Sequence, residues 1–248
     1  MNKIGIFLAG MLIVGAATTL KAQESNDKIH WQLRGGVGHA SALSVPHTDG
    51  CLGYHIGGAM DIALSKNGVW RIQPGLQFQQ KGWTFEGYYG SEQIMPATFS
   101  TRLHYLELPV FAAARLRLGH GNYLTFKAGP YIAYGLSGKT TLSIHDTDYK
   151  ESFSTNHFSE PCEFLGIAYD NEQHEVVYPK FNRWDVGIAE GIDLTLGHFI
   201  LGASLSTGIT HVSDKIFMGN ALEQFASVLL FGGSPKNFTA EFSVGYQF

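Results

Sequence analysis

Large or apolar side chains occupy every second position in the last eleven residues of the chain, FTAEFSVGYQF. A two-residue period places alternate side chains on opposite faces of a β-strand. The apolar face carries Phe238, Ala240, Phe242, Val244, Tyr246 and Phe248, and the polar face carries Thr239, Glu241, Ser243, Gly245 and Gln247. The pattern predicts a terminal strand with one apolar and one polar face.

The same period recurs in seven earlier segments, which brings the predicted total to eight strands. The earlier segments are HWQLRGGVG (30–38), YHIGGAMDIAL (54–64), VWRIQPGLQFQQKG (69–82), HYLELPVFA (104–112), YLTFKAGPYIAYGL (123–136), RWDVGIAEGIDLTL (183–196) and FILGASLSTGI (199–209). Charged residues make up 15% of the chain and the mean hydropathy is −0.02, as expected when apolar and polar faces average out.

The predicted connections alternate in length. Short Gly- and Asn-containing turns fall at 65–68, 119–122 and 197–198, and long connections fall at 39–52, 82–101, 138–181 and 211–236. Short turns at one rim and long loops at the other are typical of outer-membrane barrels. We therefore predict an all-β fold, an eight-stranded antiparallel up-and-down transmembrane β-barrel with short periplasmic turns and long extracellular loops.

Aromatic residues support an outward apolar face, because amphipathic rings collect at membrane interfaces. Trp31, Trp70, Tyr123, Phe199 and Phe248 are predicted at the periplasmic rim, and Tyr54, Tyr105, Tyr134, Trp184 and Phe238 at the outer rim. The alternative is a soluble lipocalin-like carrier with the apolar face inside. That fold would place Arg34, Arg71, Lys127, Asp185 and Glu241 outside.

The N-terminal segment MNKIGIFLAGMLIVGAATTLKA has the layout of a secretory signal peptide, with a basic start, an apolar run and a small-residue end. We expect residues 1–22 to be removed and residues 23–248 to form the barrel domain. The mature chain would carry 15 basic and 21 acidic residues, a formal charge of −6. This balance excludes nucleic acid as a natural partner.

The polar faces are predicted to form the lumen of the barrel. An eight-stranded barrel is just wide enough for its own side chains to fill it, and buried charges need partners. We therefore predict a polar plug rather than an open pore. Its network comprises Arg34, Asp61, Arg71, Glu107, Lys127, Arg183, Asp185 and Glu241, accompanied by His55, Gln73, Gln77, Lys81 and Asp193. Glu190 falls on the outward face, a conflict that a bulge near Gly191 or a position near a rim would remove.

The longest predicted loop, 138–181, has a net charge of −5. His145, Asp146, Asp148, His157 and His174 in it show no calcium-loop spacing, so a solvated acidic loop is favoured over a metal site. Cys51 and Cys162 fall in the first and third long loops. Since exported proteins meet an oxidising environment, the two cysteines form either a disulfide or two free thiols.

Five motifs carry a resemblance to a known family: IQPGLQFQQKG (72–82), YLELPV (105–110), GPYIAYGL (129–136), WDVGIAEG (184–191) and the final VGYQF. Together they resemble the PorT-like outer-membrane β-barrel domain family of Gram-negative bacteria, often labelled porin family, over residues 29–248. The resemblance implies no catalytic residues and no cofactor. It also implies that Phe248, with Tyr246, serves as a signal for the barrel-assembly machinery.

The expected partners are outer-membrane lipid, the assembly machinery during biogenesis, and an unidentified envelope or surface partner. The favoured function is non-enzymatic, with the long loops mediating surface interaction or supporting an envelope or secretion complex. The first alternative is a small-solute channel. An enzyme acting on lipid A would require a nucleophile and a base at a rim, for which Ser100 with His104 and Ser206 with His211 are candidates.

Overall fold

The computed structural model describes residues 29–43, 48–89, 95–144, 150–153, 156–160, 162–167, 173–178, 180–213, 217–218 and 235–248. The predicted signal peptide lies outside these ranges. The strands are β1 (Ile29–Leu43), β2 (Thr48–Ala63), β3 (Trp70–Tyr89), β4 (Met95–Gly119), β5 (Asn122–Ile144), β6 (Lys150–Phe153), β7 (Cys162–Ile167), β8 (Gln173–Tyr178), β9 (Trp184–Leu196), β10 (Phe199–Gly208), β11 (Phe217–Met218) and β12 (Lys236–Gln247).

Eight long strands close into a ring in the order β1, β2, β3, β4, β5, β9, β10 and β12. Every neighbouring pair is antiparallel, and β12 returns to pair with β1, from Gln32 opposite Gln247 to Leu43 opposite Lys236. Closure leaves no unpaired edge within the ring. The predicted eight-stranded up-and-down barrel is confirmed, and each of the eight predicted segments lies in one of these strands to within one residue at its ends.

The strands on one side of the ring are longer than the sequence pattern predicted. Strands β3 and β4 stay paired as far as Tyr89 and Met95, inside the segment predicted as a loop. Strand β5 continues to Ile144 and pairs there with β6. Strands β7, β8 and β11 form a second small sheet. Where a sheet rises above the membrane, both faces meet water, so the apolar period that marks a spanning strand is lost.

The apolar faces point away from the ring. Trp31 is 61% exposed and Phe242 is 75% exposed, whereas Asp61 is fully buried and Arg71 is 1% exposed. A soluble carrier requires the opposite arrangement, so the lipocalin-like alternative is wrong. Among the described residues, no helix is long and apolar enough to cross a membrane.

Aromatic side chains mark both rims of the ring. At the outer rim, the rings of Tyr134 and Trp184 meet edge to face with centroids 5.0 Å apart. At the periplasmic rim, Tyr246 contacts Phe199 and Phe248 in the same geometry, at 5.5 and 5.0 Å. The backbone N–H of Phe248 donates to the carbonyl of Trp31 at 2.9 Å, which fixes the C-terminus to the first strand.

The prediction that Tyr105 belongs to the outer aromatic ring is wrong. Its side chain is completely buried inside the barrel. Tyr105 shares the inward phase of β4 with Glu107, whereas Leu106 and Leu108 are exposed on the outward face. The two-residue period therefore places the tyrosine in the lumen rather than at the membrane interface.

Three tight turns join strands at the periplasmic rim. Gly119, His120 and Gly121 all have positive φ, between 54° and 100°, in the turn from β4 to β5. Gly197 has a φ of 60° in the turn from β9 to β10, where the side chain of Asn122 accepts its N–H at 3.2 Å. Glycine adopts this left-handed region without steric cost, which is why the chain can reverse so sharply at Gly119, Gly121 and Gly197.

Candidate functional site

The lower half of the lumen contains a network of charged side chains around Asp61. The Nε–H of Arg71 donates to Asp61 Oδ1 at 2.7 Å, and the side-chain amide of Gln73 donates to the same oxygen at 3.1 Å. Arg115 forms an ion pair with the other carboxylate oxygen. Asp61 is therefore shared between two buried guanidinium groups.

A second carboxylate, Asp193, lies in the same half. The guanidinium of Arg34 binds it through two hydrogen bonds of 2.8 and 2.7 Å, and the Nζ of Lys127 lies 2.9 Å from it. A Cβ at Gly202 would lie 2.6 Å from Asp193 Oδ1, so only glycine leaves room for this carboxylate. The glycine is part of the site, although it has no side chain.

Two glutamines connect these ion-pair groups. Gln32 accepts from Arg34 and donates to Gln247 at 3.2 Å, and Gln247 lies within 3.5 Å of Arg115. We call the connected set the periplasmic network, after the rim that it faces. Its members are Gln32, Arg34, Asp61, Arg71, Gln73, Arg115, Lys127, Asp193 and Gln247.

The upper half of the lumen is organised around Lys81. Its Nζ lies 2.8 Å from Glu107 and 3.0 Å from Asp185, and it lies over the ring of Tyr131, 4.2 Å from the centroid. Asp185 also accepts a hydrogen bond from the side-chain amide of Asn237 at 2.8 Å. One buried ammonium group therefore forms ion pairs with two buried carboxylates.

A third carboxylate, Glu241, belongs to the same half. Its oxygens lie 3.0 Å from His55 Nδ1 and 3.1 Å from the side-chain amide of Gln79. Gln77 lies within hydrogen-bond distance of both Glu107 and Gln79, and so joins Glu241 to the group around Lys81. We call this set the extracellular network: His55, Gln77, Gln79, Lys81, Glu107, Tyr131, Asp185, Asn237 and Glu241.

The two networks have opposite charge. The periplasmic network contains four cationic side chains and two carboxylates, whereas the extracellular network contains Lys81, His55 and three carboxylates. A cavity of about 60 Å³ lies between them, with Arg34 and Lys127 on one side and Glu107 and Glu241 on the other. This volume holds a few water molecules.

An aromatic cap closes the lumen above the extracellular network. Its buried members are Trp83, Leu103, Tyr105, Tyr131, Phe158, Phe181 and Val212. The ring of Phe158 packs edge to face on Tyr105, with centroids 5.4 Å apart. The side chain of Asn156 accepts the backbone N–H groups of Gly138 and Phe158, at 3.1 and 3.2 Å, and so fixes the turn that carries the ring.

A buried histidine, His157, packs within the cap. His157 is 1% exposed, its Nε2 lies 2.8 Å from Thr140 Oγ1, and it stacks on Phe181. Burial lowers the pKa of His157 to about 4 from its ordinary value near 6.5. Folding therefore favours the neutral imidazole, and the stability that it contributes is complete above about pH 6.5 and lost as the pH falls toward 4.

We therefore expect amide exchange at Phe158 and Phe181 to accelerate as the pH falls from 6.5 toward 4, after correction for intrinsic exchange rates. The backbone N–H of Phe181 donates to the carbonyl of His157 at 2.7 Å, so it reports directly on the cap. A His157→Gln variant has no imidazole to protonate and should show a flat profile. Equal pH dependence in both proteins would contradict the assignment.

The structure brings together seven of the eight residues predicted for the lumen: Arg34, Asp61, Arg71, Glu107, Lys127, Asp185 and Glu241. The prediction that Arg183 lies in the lumen is wrong. Its guanidinium donates to the carbonyl of Gly135 and to Ser159 Oγ, at 3.2 and 2.9 Å. It lies at the outer mouth because it precedes Trp184, the first residue of β9.

Arg115 is the charged lumen residue that the sequence reasoning missed. The fourth strand was predicted to end near residue 112, but β4 continues to Gly119. The alternation of Arg115 and Arg117 with Leu116 and Leu118 was the available signal. This alternation continues the two-residue period beyond residue 112 and places Arg115 in the lumen.

The two cysteines, for which either a disulfide or two free thiols were expected, lie in different sheets. Cys51 is a free cysteine, and it lies in strand β2 opposite Ala40 rather than in a loop. Cys162 is the first residue of β7, in the separate small sheet. Within the described part of the chain, no group of three or more His, Cys, Asp or Glu side chains could hold a metal ion.

In the two serine and histidine pairs considered for catalysis, Ser206 and His104 each contact a different residue. The hydroxyl of Ser206 lies inside the barrel, 2.6 Å from Thr239 Oγ1, while His211 is exposed above the barrel. His104 Nδ1 lies 3.2 Å from Ser137 Oγ, and its ring stacks on Phe78.

Glu190 faces lipid at the middle of the barrel. It lies midway along β9 between Trp184 and Leu196, opposite Ala128 on β5 and Leu205 on β10. Both pairings run past Gly191 without a register shift, so neither the bulge nor the rim position predicted for it occurs. A carboxylate that faces lipid is energetically unfavourable, and the fold accommodates it.

Replacing Glu190 with leucine is expected to raise the free energy of unfolding in lipid by about 1–2 kcal/mol, less than the ~2–4 kcal/mol seen for Arg or Lys at the midplane. Urea unfolding in vesicles measures the change. Glu241→Leu is the matched control, because the same substitution inside the lumen removes the partner of His55 and should destabilise the barrel. Destabilisation by Glu190→Leu would show that the carboxylate has a stabilising partner.

The family comparison agrees with this architecture. The model of the outer membrane protein beta-barrel domain matches residues 21–214. No curated protein matches the chain. Similar solved structures include Ail, the attachment invasion locus protein of Yersinia pestis, at 13% identity over 90% of this chain and 100% of that chain, with a TM-score of 0.37. OprG from Pseudomonas aeruginosa is 9% identical over 92% of this chain and 99% of that chain, with a TM-score of 0.39.

A third similar structure is neisserial surface protein A, at 7% identity over 89% of this chain and 97% of that chain, with a TM-score of 0.37. The family model spans most of the sequence, including seven of the eight barrel strands. The chain therefore belongs to the outer membrane protein beta-barrel domain family, and its barrel lies in the outer membrane.

Proposed function

We propose that this protein is a non-enzymatic outer-membrane barrel that acts through its extracellular part, by surface interaction or by supporting an envelope complex. The filled lumen carries the proposal. Two charged networks and an aromatic cap occupy the path through the barrel, and the cavity between the networks is about 60 Å³. With the path filled, the parts that rise above the membrane are left to meet a partner.

A few members of the PorT-like family are associated with protein secretion, so the resemblance supports a more specific form of the proposal, in which the envelope complex takes part in secretion. The side of the barrel on which β3, β4 and β5 extend above the outer rim offers a paired sheet for such a role. Strands β3, β4 and β5 extend together above the outer rim, and β6 adds a further strand beside β5. A partner docking there would meet preformed sheet rather than a loop that must first be ordered.

Planar-bilayer recording of the refolded full-length protein tests the filled lumen. We expect no stepwise current from the wild type. A Phe158→Ala/Phe181→Ala variant removes two rings of the cap and should also stay closed, because the charged networks lie beneath it. A steady unitary current from the wild type would instead favour the small-solute channel, whose supporting observation is the polar cavity.

The interaction itself is tested by replacing residues 161–179 with a flexible Gly-Ser linker. The ring does not include this segment, so the variant should still show the heat-dependent gel shift of a folded barrel. The expected result is loss of the envelope proteins that crosslink to the wild type. An unchanged crosslinking pattern, with folding intact, would exclude this loop as the contact.

A further inference from the structure

The periplasmic network has two more cations than carboxylates. Asp61 is already shared by Arg71 and Arg115, and Asp193 is already shared by Arg34 and Lys127. The acidic side chains that would balance them lie in the other network, across the cavity. A buried charge without a close counter-charge is strongly unfavourable, so this half of the lumen favours an added anion.

Two buried polar atoms in the same half mark where an anion would bind. Neither Arg115 Nε nor Thr125 Oγ1 has a hydrogen-bond partner, although the residues are only 7% and 1% exposed. They are directly opposite each other in the pairing of β4 with β5. Buried donors of this kind are rare, because each one left unsatisfied costs free energy.

The surroundings of Arg115 leave its Nε–H available while one of its terminal nitrogens is engaged. One terminal nitrogen contacts Asp61 and Gln247, and the guanidinium lies over the ring of Tyr123, 5.0 Å from the centroid. Side chains directly opposite on antiparallel strands have Cβ atoms about 5 Å apart. With the two side chains this close, a single-atom anion would displace their neighbours less than a polyatomic anion.

We propose that Arg115 and Thr125 bind a small inorganic anion of the halide class, with chloride as the natural member. The Nε–H of Arg115 and the hydroxyl of Thr125 donate to it, and the excess positive charge of the periplasmic network attracts it. A water molecule would satisfy the two polar atoms but leave the charge uncompensated. The site lies near the turn at Gly119, so the periplasm supplies the ion.

Thermal unfolding of the detergent-solubilised full-length barrel tests the proposal, comparing sodium chloride with sodium gluconate at equal ionic strength and pH. A ligand that binds only the folded state raises Tm with its concentration. Tm should rise with chloride and not with gluconate. Thr125→Val should abolish the difference. Thr239→Val removes a hydroxyl bonded to Ser206 in the upper lumen and should retain it.

Equal melting in chloride and gluconate would overturn the site, as would the same chloride dependence in wild type and Thr125→Val. Should Thr125→Val fail to fold, bromide-soaked crystals of the wild type decide the matter by anomalous scattering. A bromide peak between Arg115 and Thr125 supports the assignment. A peak confined to the cavity beside Arg34 and Lys127, or no peak at all, refutes it.

Discussion

Replacing Asp61 with asparagine is expected to destabilise the folded barrel by about 3–5 kcal/mol, the usual cost of removing one partner from a buried ion pair. Asp61 is fully buried, and it is the carboxylate that both Arg71 and Arg115 contact. Asparagine keeps the size and one oxygen but leaves two guanidinium groups facing each other. Because guanidinium does not lose its proton in proteins, the chain cannot relieve the strain by neutralising them.

Urea unfolding in detergent, with the heat-dependent gel shift as a check on folding, measures this loss. Asp49→Asn on the same strand is the matched control, since Asp49 is exposed and the change should stay within about 0.5 kcal/mol. Adding Arg115→Met to Asp61→Asn should recover part of the stability, because it removes one uncompensated charge. Equal stability of wild type and Asp61→Asn would mean that Asp61 is not the counter-charge of these arginines.

The two-residue period accounts for most of what the sequence predicted. A strand that is apolar at Ile72, Leu76 and Phe78 and polar between them determines which side chains face lipid and which face the lumen. The same parity identifies Asp61 and Lys127 as lumen residues before any pairing is known. Parity is a local property of the chain, and eight repeats of it with alternating connections are sufficient to indicate a barrel.

The pairing of charges inside the lumen is not local. Lys81 and Asp185 are 104 positions apart, and their contact depends on how far each strand is shifted against the next around the ring. The two-residue period of a strand does not determine this shift between neighbouring strands. The cap has the same limitation, because Phe158 and Phe181 come from segments without an apolar period. Their burial follows from the mouth of the barrel that they fill.

Replacing Lys81 with methionine is expected to lower the free energy of unfolding by about 3–5 kcal/mol, because it also removes one partner of a buried ion pair. Here the removed partner is the cation rather than the carboxylate. The side chain is 1% exposed, and its ammonium group lies within 3.0 Å of both Glu107 and Asp185. Methionine has a similar volume and leaves these two carboxylates facing each other. Lys139→Met is the matched control, because Lys139 is exposed above the outer rim on β5.

Acid distinguishes the two substitutions and thereby tests the charge separation of the lumen. Carboxylates can take up protons, so the stability lost in Lys81→Met should be partly recovered as the pH is lowered, relative to wild type at the same pH. Arginine side chains do not lose their protons, so the stability lost in Asp61→Asn should not be recovered as the pH is lowered. If both variants respond alike, the two halves of the lumen do not act as separate cationic and anionic networks. If they diverge as expected, the lumen is an internal ion-pair plug, and its charge pattern serves the integrity of the barrel rather than passage through it.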